Sequence, residues 1–117
     1  MHSHNLPAKN GSNILDITDT QIGQTYYDWQ TNHGPINRTV AWEDGTLNAC
    51  WTISVNTAFG DIGTAVAYFD GTSWTTGDAR IENAKTGFGS IARYGANGLV
   101  VAAHTGNASN SLKLVVQ

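Results

Sequence analysis

Apolar and polar residues alternate in short stretches along almost the whole chain beyond Asn13. The stretches are rich in β-branched and aromatic residues, and turn pairs such as Asp70-Gly71 and Asn97-Gly98 separate them, which is the pattern of β-strands joined by tight turns. No stretch has the period of an amphipathic helix. We therefore predict an all-β fold. The predicted strands are residues 14–18, 25–30, 38–43, 46–54, 64–69, 73–76, 79–83, 90–94, 99–105 and 112–117.

The order of strands and turns repeats after about fifty residues, the distance from Arg38 to Gly89. The first unit runs from "RTVAW" through the turn "EDG" to "TLNACWTIS" and "GTAVAYFDG", and the second from "GSIARY" through "GANG" to "LVVAAHTG" and "SLKLVVQ". A period of this size with three or four antiparallel strands per unit is typical of β-propeller blades. We predict a two-blade unit over 14–117, with one blade over about 38–83 and a partial blade over about 89–117.

Two blades are too few to close a propeller, and this has a consequence for assembly. The partial blade ends in "LKLVVQ", a flat apolar strand whose free edge would pair with a further strand. Residues 25–30, "TYYDWQ", form a spare strand that would latch onto a neighbouring subunit. We expect three copies to make a six-bladed homo-oligomeric ring. An eight-bladed ring of four copies, a fragment of a longer propeller and a single β-sandwich are the alternatives.

Composition narrows the class of protein. Only 13% of the 117 residues are charged and the net charge is -3, so the chain lacks the basic surface of a nucleic-acid-binding protein. No apolar run is long enough to span a membrane, and we expect no membrane insertion. The single Cys50 lies in an alternating strand and is predicted to be a buried apolar residue. Residues 1–13 are polar and aperiodic, and we expect a flexible leader there.

The turn "YFDGTSW" resembles the Asp-box of sialidase-like β-propellers in Asp70, Gly71 and Trp74. It is one residue tighter than the Ser-x-Asp-x-Gly-x-Thr-Trp pattern of that family and lacks the leading Ser, so a plain hairpin is the alternative. Together with "TYYDWQTN", "NRTVAWEDGTLNACWT" and "ARIENAKTGFGSI", it looks like the propeller of bacterial secreted, surface-sorted proteins over residues 22–105. The resemblance implies a propeller fold and a location outside the cell or on its surface. In the turn it implies that an Asp caps backbone amides and a Trp packs between sheets.

Catalytic machinery is not apparent. A sialidase needs three converging arginines, an acid/base Asp and a Tyr activated by Glu, and two blades supply only a third of the ring from which those arginines come. Glu43 and Asp44 point to opposite faces of a strand, which does not suit a two-carboxylate glycosidase. The histidines beyond Asn13, His33 and His104, lack the spacing of a metal site. We expect no catalytic residue, no metal and no cofactor, and keep a fragment of a sialidase-like hydrolase as an alternative.

Binding is better supported by the residue types. Four Trp and four Tyr exceed what a small core needs, and aromatic faces stack on sugar rings while polar side chains bind their hydroxyls. We predict a non-catalytic, secreted, ring-forming propeller that binds glycans or proteins through its loops. A purely structural or engineered propeller fragment is a further alternative. The candidate ligand-binding residues are Trp29, Asn37, Arg38, Trp74, Arg93 and His104.

Overall fold

The computed structural model describes residues 19–31, 36–105 and 112–116. These residues form two antiparallel sheets, and none of them lies in a helix, so the predicted all-β class is confirmed. The predicted leader, 1–13, and the predicted strand 14–18 lie outside the described residues.

The first sheet is a four-stranded meander in which each strand pairs with the next one in the chain. The tight turn between its first two strands is closed by the Asp44 carboxylate, which accepts from the Thr46 amide at 3.0 Å, and by Gly45 at φ 87°. The strands are β1 Thr39–Ala41, β2 Leu47–Ile53, β3 Gly63–Phe69 and β4 Trp74–Thr75.

The second sheet is a three-stranded meander whose first strand is the longest of the molecule. That strand begins four residues before the predicted 90–94, and a bulge between Gly87 and Ser90 interrupts its pairing. Gly95, at φ 65°, provides the left-handed residue of the following turn. The strands are β5 Thr86–Tyr94, β6 Gly98–Thr105 and β7 Leu112–Val116.

Two segments that were predicted as strands are not strands. Residues 25–30 run beside the end of β2, but among the described residues a single backbone-to-backbone hydrogen bond joins the two segments, from the Tyr26 amide to the Ser54 carbonyl at 2.9 Å. Further along, the Gln30 side chain takes the place of a strand partner, since its amide accepts from Thr52 N at 2.9 Å and donates to Thr52 O at 2.8 Å. Residues 79–83 form no strand and are joined to β3 by the Glu82 carboxylate, which accepts from the Thr64 amide at 3.0 Å, and by the Ile81 amide, which donates to the Thr64 carbonyl at 2.9 Å.

The core lies between the two sheets, where β5 packs against β1, β2 and β3. Cys50 is 4% exposed within it, as the strand alternation predicts. The sheets come very close at Gly89, since a Cβ there would lie 2.7 Å from the Thr64 hydroxyl of β3. The buried apolar residues at the centre are Val40, Cys50, Ile91, Leu99 and Val101, with Trp42, Val66 and Ile81 packed against them.

Candidate functional site

Four aromatic side chains gather where the β2–β3 loop meets the start of β5. The Tyr27 ring lies edge-on to Phe59, with centroids 5.2 Å apart, and to Phe88, at 6.4 Å. The Trp29 ring also lies edge-on to Phe88, with centroids 6.2 Å apart. Aromatic rings packed edge-to-face at these separations gain an attraction in addition to the free energy gained from the apolar area that they bury. We call this group, Tyr27, Trp29, Phe59 and Phe88, the aromatic cleft.

The aromatic cleft is open to solvent although its rings are apolar. Trp29 is 62% exposed and Phe59 40%. Tyr27, Phe59 and Phe88 line a cavity of about 320 Å³, and the exposed Lys85 and His104 stand at its rim. An exposed apolar surface rimmed by polar side chains is typical of a binding site.

Phe59 has a left-handed backbone with φ 58°, a conformation that a bulky residue rarely adopts. The loop that carries it is folded around the Asp61 carboxylate, which accepts from the Ser54 hydroxyl at 2.6 Å and from the amides of Val55 at 2.9 Å and Asn56 at 3.1 Å. These hydrogen bonds hold the pKa of Asp61 below its ordinary value. The loop is therefore internally braced, and it projects the Phe59 ring into the cleft.

Phe88 is the second bulky residue with a left-handed backbone, at φ 56°. It sits within the β5 bulge, and its amide donates to the Thr52 hydroxyl at 3.2 Å. A bulge changes the direction in which a side chain points, and here it directs the ring toward Tyr27 and Trp29. Residues with strained backbones are concentrated at functional sites. Among the described residues, Phe59 and Phe88 are the two non-glycine residues with positive φ, and both lie in the aromatic cleft.

The chemistry of the aromatic cleft suits stacking and hydrogen bonding. Ring faces and edges offer apolar contact, and Lys85 and His104 offer polar groups at the rim. The described residues that line the cavity include no Asp or Glu, so the arrangement gives no support to hydrolysis by a pair of carboxylates. The described residues also contain no group of three or more His, Cys, Asp or Glu side chains that could hold a metal ion.

Two of the predicted ligand-binding residues, Trp29 and His104, lie at the aromatic cleft. Asn37 instead joins the two sheets. Its carbonyl accepts from the Ile91 amide at 2.9 Å, its side chain donates to the Ile91 carbonyl at 2.6 Å, and its amide donates to the Ser90 hydroxyl at 3.1 Å. The backbone amide, the backbone carbonyl and the side-chain nitrogen of Asn37 are thus all engaged within the chain.

Trp74 lies in the hairpin between β3 and β4. The Asp70 carboxylate caps this turn by accepting from the amides of Thr72 at 2.8 Å and Ser73 at 2.9 Å, which lowers the pKa of Asp70. The Trp74 ring packs on Phe69 of the same hairpin, with centroids 5.4 Å apart. The Asp70 carboxylate thus closes the hairpin by capping two backbone amides, and the contact of the Trp74 ring is local to the hairpin.

Arg93 links the turn regions of the two sheets. Its guanidinium lies 4.9 Å from the centre of the Trp42 ring and donates to Glu43 at 2.6 Å. The same end of the molecule has a cavity of about 450 Å³, where the Trp42 indole donates to the Asn48 side chain at 2.8 Å. This cavity is larger than the one at the aromatic cleft. Arg93 is already paired with Glu43, however, and Trp42 with Asn48.

The other two arginines have separate partners. Arg38, the residue before β1, donates to the Gln30 side chain at 3.0 Å and lines a third cavity of about 410 Å³. Arg80 donates to the Ile62 carbonyl at 3.3 Å. None of the described cavities brings two arginines together.

Tyr27, Phe59 and Phe88 belong to the site but were not singled out from the sequence. One local signal was present, because both phenylalanines precede a glycine in a loop-like context, "AFGD" and "GFGS". Glycine on the C-terminal side accompanies the unusual backbone at both positions.

Comparison of the chain with protein-family models, with curated proteins and with solved structures finds no match. Among the described residues there is also no helix of the length and apolarity that crossing a membrane requires.

Proposed function

We propose that the protein is a non-catalytic, secreted module that binds glycans through the aromatic cleft and assembles into a propeller ring. The observation that carries the binding proposal is the pair of left-handed phenylalanines, Phe59 and Phe88, that bring exposed rings together around Tyr27. The apolar face of a pyranose stacks on such rings, and Lys85 and His104 supply polar groups for its hydroxyls. A folding role alone gives no reason to hold a half-exposed Phe in a strained backbone.

Sheet topology supports the ring. Both sheets are meanders whose strands follow chain order, as in propeller blades, whereas immunoglobulin-like sandwiches use Greek-key connections. Within the described residues, β7 pairs with a strand on one side only. A second copy of the chain would supply the missing neighbour. Repetition of the aromatic cleft around a ring would then turn weak single contacts into strong retention by avidity.

The binding proposal is tested by retention of the protein on an array of immobilised glycans. We expect Trp29→Ala to weaken retention about tenfold or more, since loss of an exposed aromatic contact at the centre of an interface costs about 2 kcal/mol. Trp74→Ala is the matched control, because it removes the same side chain from a hairpin outside the cleft. If both variants are retained like the wild type, or neither the wild type nor the variants are retained, the proposal is wrong.

A further inference from the structure

Thr52, in β2, is hydrogen bonded to two parts of the chain that provide rings of the aromatic cleft. The Phe88 amide, in the β5 bulge, donates to the Thr52 hydroxyl at 3.2 Å. The backbone of Thr52 is paired in addition with the side chain of Gln30, in the segment that carries Tyr27 and Trp29. These two parts lie far apart in the sequence and are thus joined through Thr52.

The connection from Thr52 to Tyr27 is made by the Gln30 side chain. Its oxygen accepts from the Thr52 amide at 2.9 Å, and its nitrogen donates to the Thr52 carbonyl at 2.8 Å. The same nitrogen donates to the Tyr27 carbonyl at 2.6 Å. Because a side-chain amide offers both an acceptor and two donors, Gln30 can bind β2 and its own segment at once. The backbone that carries the Tyr27 ring is therefore fixed relative to Thr52.

The connection from Thr52 to Phe88 is made by one hydroxyl group. Phe88 has φ 56°, and a left-handed backbone persists in a bulky residue only where the surroundings hold it. The register of β5 with β6 is interrupted between Gly87 and Ser90, so the Phe88 amide lies where the strand pairing is broken, and it donates to the Thr52 hydroxyl instead. The hydroxyl thus stabilises the strained conformation that directs the Phe88 ring into the cleft.

Thr52 itself is not part of the binding surface. It is 1% exposed and is not one of the described residues that line the cavity of the aromatic cleft. Any effect of Thr52 on binding must therefore pass through the rings whose backbones it holds. Thr64 lies opposite Thr52 in the pairing of β2 with β3 and is also buried, but its hydroxyl has no hydrogen-bond partner among the described residues. The two threonines therefore offer a matched comparison.

We propose that Thr52 is a positioning residue of the aromatic cleft, and that its hydroxyl holds the Phe88 ring in the orientation that completes the site before a ligand arrives. The inference rests on the proposed binding function of the cleft. A site that is complete in only a fraction of the molecules has an apparent affinity reduced by that fraction. If loss of the hydroxyl leaves the ring in place in about one tenth of the molecules, binding weakens about tenfold.

NMR of the full chain tests the proposal first without a ligand. Thr52→Val keeps the branched shape of the side chain but cannot accept from the Phe88 amide. We expect the nuclear Overhauser contacts between the Phe88 and Tyr27 rings of the wild type to be lost in Thr52→Val and to persist in Thr64→Val, with thermal unfolding as the check that both variants are folded. Hydrogen exchange of the wild-type Phe88 amide needs no variant, and we expect it to be slow. Rapid exchange of this amide, or unchanged ring contacts in Thr52→Val, would overturn the proposal.

Retention on the immobilised glycan that holds the wild type best then tests the consequence for binding. We expect about tenfold weaker retention of Thr52→Val, and wild-type retention of Thr64→Val and Thr52→Ser. Serine restores the hydroxyl but lacks a buried methyl group, so a purely structural role would make Thr52→Ser defective as well. Wild-type retention of Thr52→Val, or an equal loss in Thr52→Ser, would overturn the proposal. If the wild type itself is not retained on any glycan, the proposed glycan binding is wrong, whereas the ring contacts and the hydrogen exchange still decide the role of Thr52.

Discussion

The strained backbone of Phe59 makes a quantitative prediction that separates folding from binding. Phe59 is 40% exposed, and since full burial of a Phe side chain contributes about 1.5–3 kcal/mol, its buried part contributes about 1–2 kcal/mol. A left-handed backbone costs a residue other than glycine about 1–2 kcal/mol. The two contributions nearly cancel. Phe59→Gly, which removes the ring and relieves the strain, should therefore change the free energy of unfolding by no more than about 1 kcal/mol.

Phe59→Ala is the informative partner of that variant. It also lacks the ring but keeps a Cβ in the left-handed conformation, so we expect it to be less stable than Phe59→Gly by about 1 kcal/mol. Urea unfolding followed by tryptophan fluorescence measures both values. On the glycan array both variants should lose retention to a similar extent, because both lack the same ring.

Three outcomes would refute this reasoning about Phe59. A loss of more than about 3 kcal/mol in Phe59→Gly would make the ring a principal core residue, contrary to its exposure. Equal stability of the Ala and Gly variants would mean that the backbone is not strained. Full retention of both variants on the array would place the binding surface elsewhere.

Further predictions concern a buried carboxylate, a buried thiol and a loop aspartate. Glu82 is 6% exposed and accepts from the Thr64 amide and the Thr86 hydroxyl. Glu82→Ala should therefore lower the free energy of unfolding by about 1–3 kcal/mol for each buried donor left unpaired. Urea unfolding measures this loss, and a value below about 1 kcal/mol would contradict the prediction. Burial raises the pKa of Cys50 to about 11, so a thiol reagent at pH 8 should modify it only after denaturation, and rapid modification of the folded chain would show that the core is open. The pKa of Asp61 is lowered in the folded state by its bonds from the Ser54 hydroxyl and the Val55 and Asn56 amides, so its contribution to stability is present above its ordinary value of 3.8 and is lost as the pH falls through the lowered pKa. The stability difference between the wild type and Asp61→Asn should therefore disappear in acid, and a difference that persists at low pH would assign it to packing.

The strands that could be predicted are those whose alternation is decided locally. β2, β3 and β6 consist mainly of β-branched and apolar residues between turn residues, and they appear close to their predicted bounds. Residues 25–30 have the same local character but form no strand, because the Gln30 side chain provides the contacts to Thr52 that a strand backbone would have made. This replacement of backbone pairing by a side chain depends on a residue far along the chain, and the local sequence pattern therefore does not predict it.

The site was predictable only in part, for a related reason. Trp29 and His104 were predicted from the sequence as ligand-binding residues, and both lie at the aromatic cleft. Phe59 and Phe88 were not, because their left-handed backbones contradict the local preference of Phe and arise from a braced loop and a bulge that pack around Tyr27. The partner of Arg93, Glu43, lies fifty residues away in sequence, and the turns of the two sheets bring the pair together.

We propose that the two sheets are two blades of a ring that one chain does not close. Absolute mass in solution, measured by light scattering behind a sizing column over a range of concentrations, tests it most directly. We predict a stable species at three times the chain mass of 12.5 kDa. A well-folded species at the mass of a single chain at all concentrations would contradict the ring and favour a single β-sandwich.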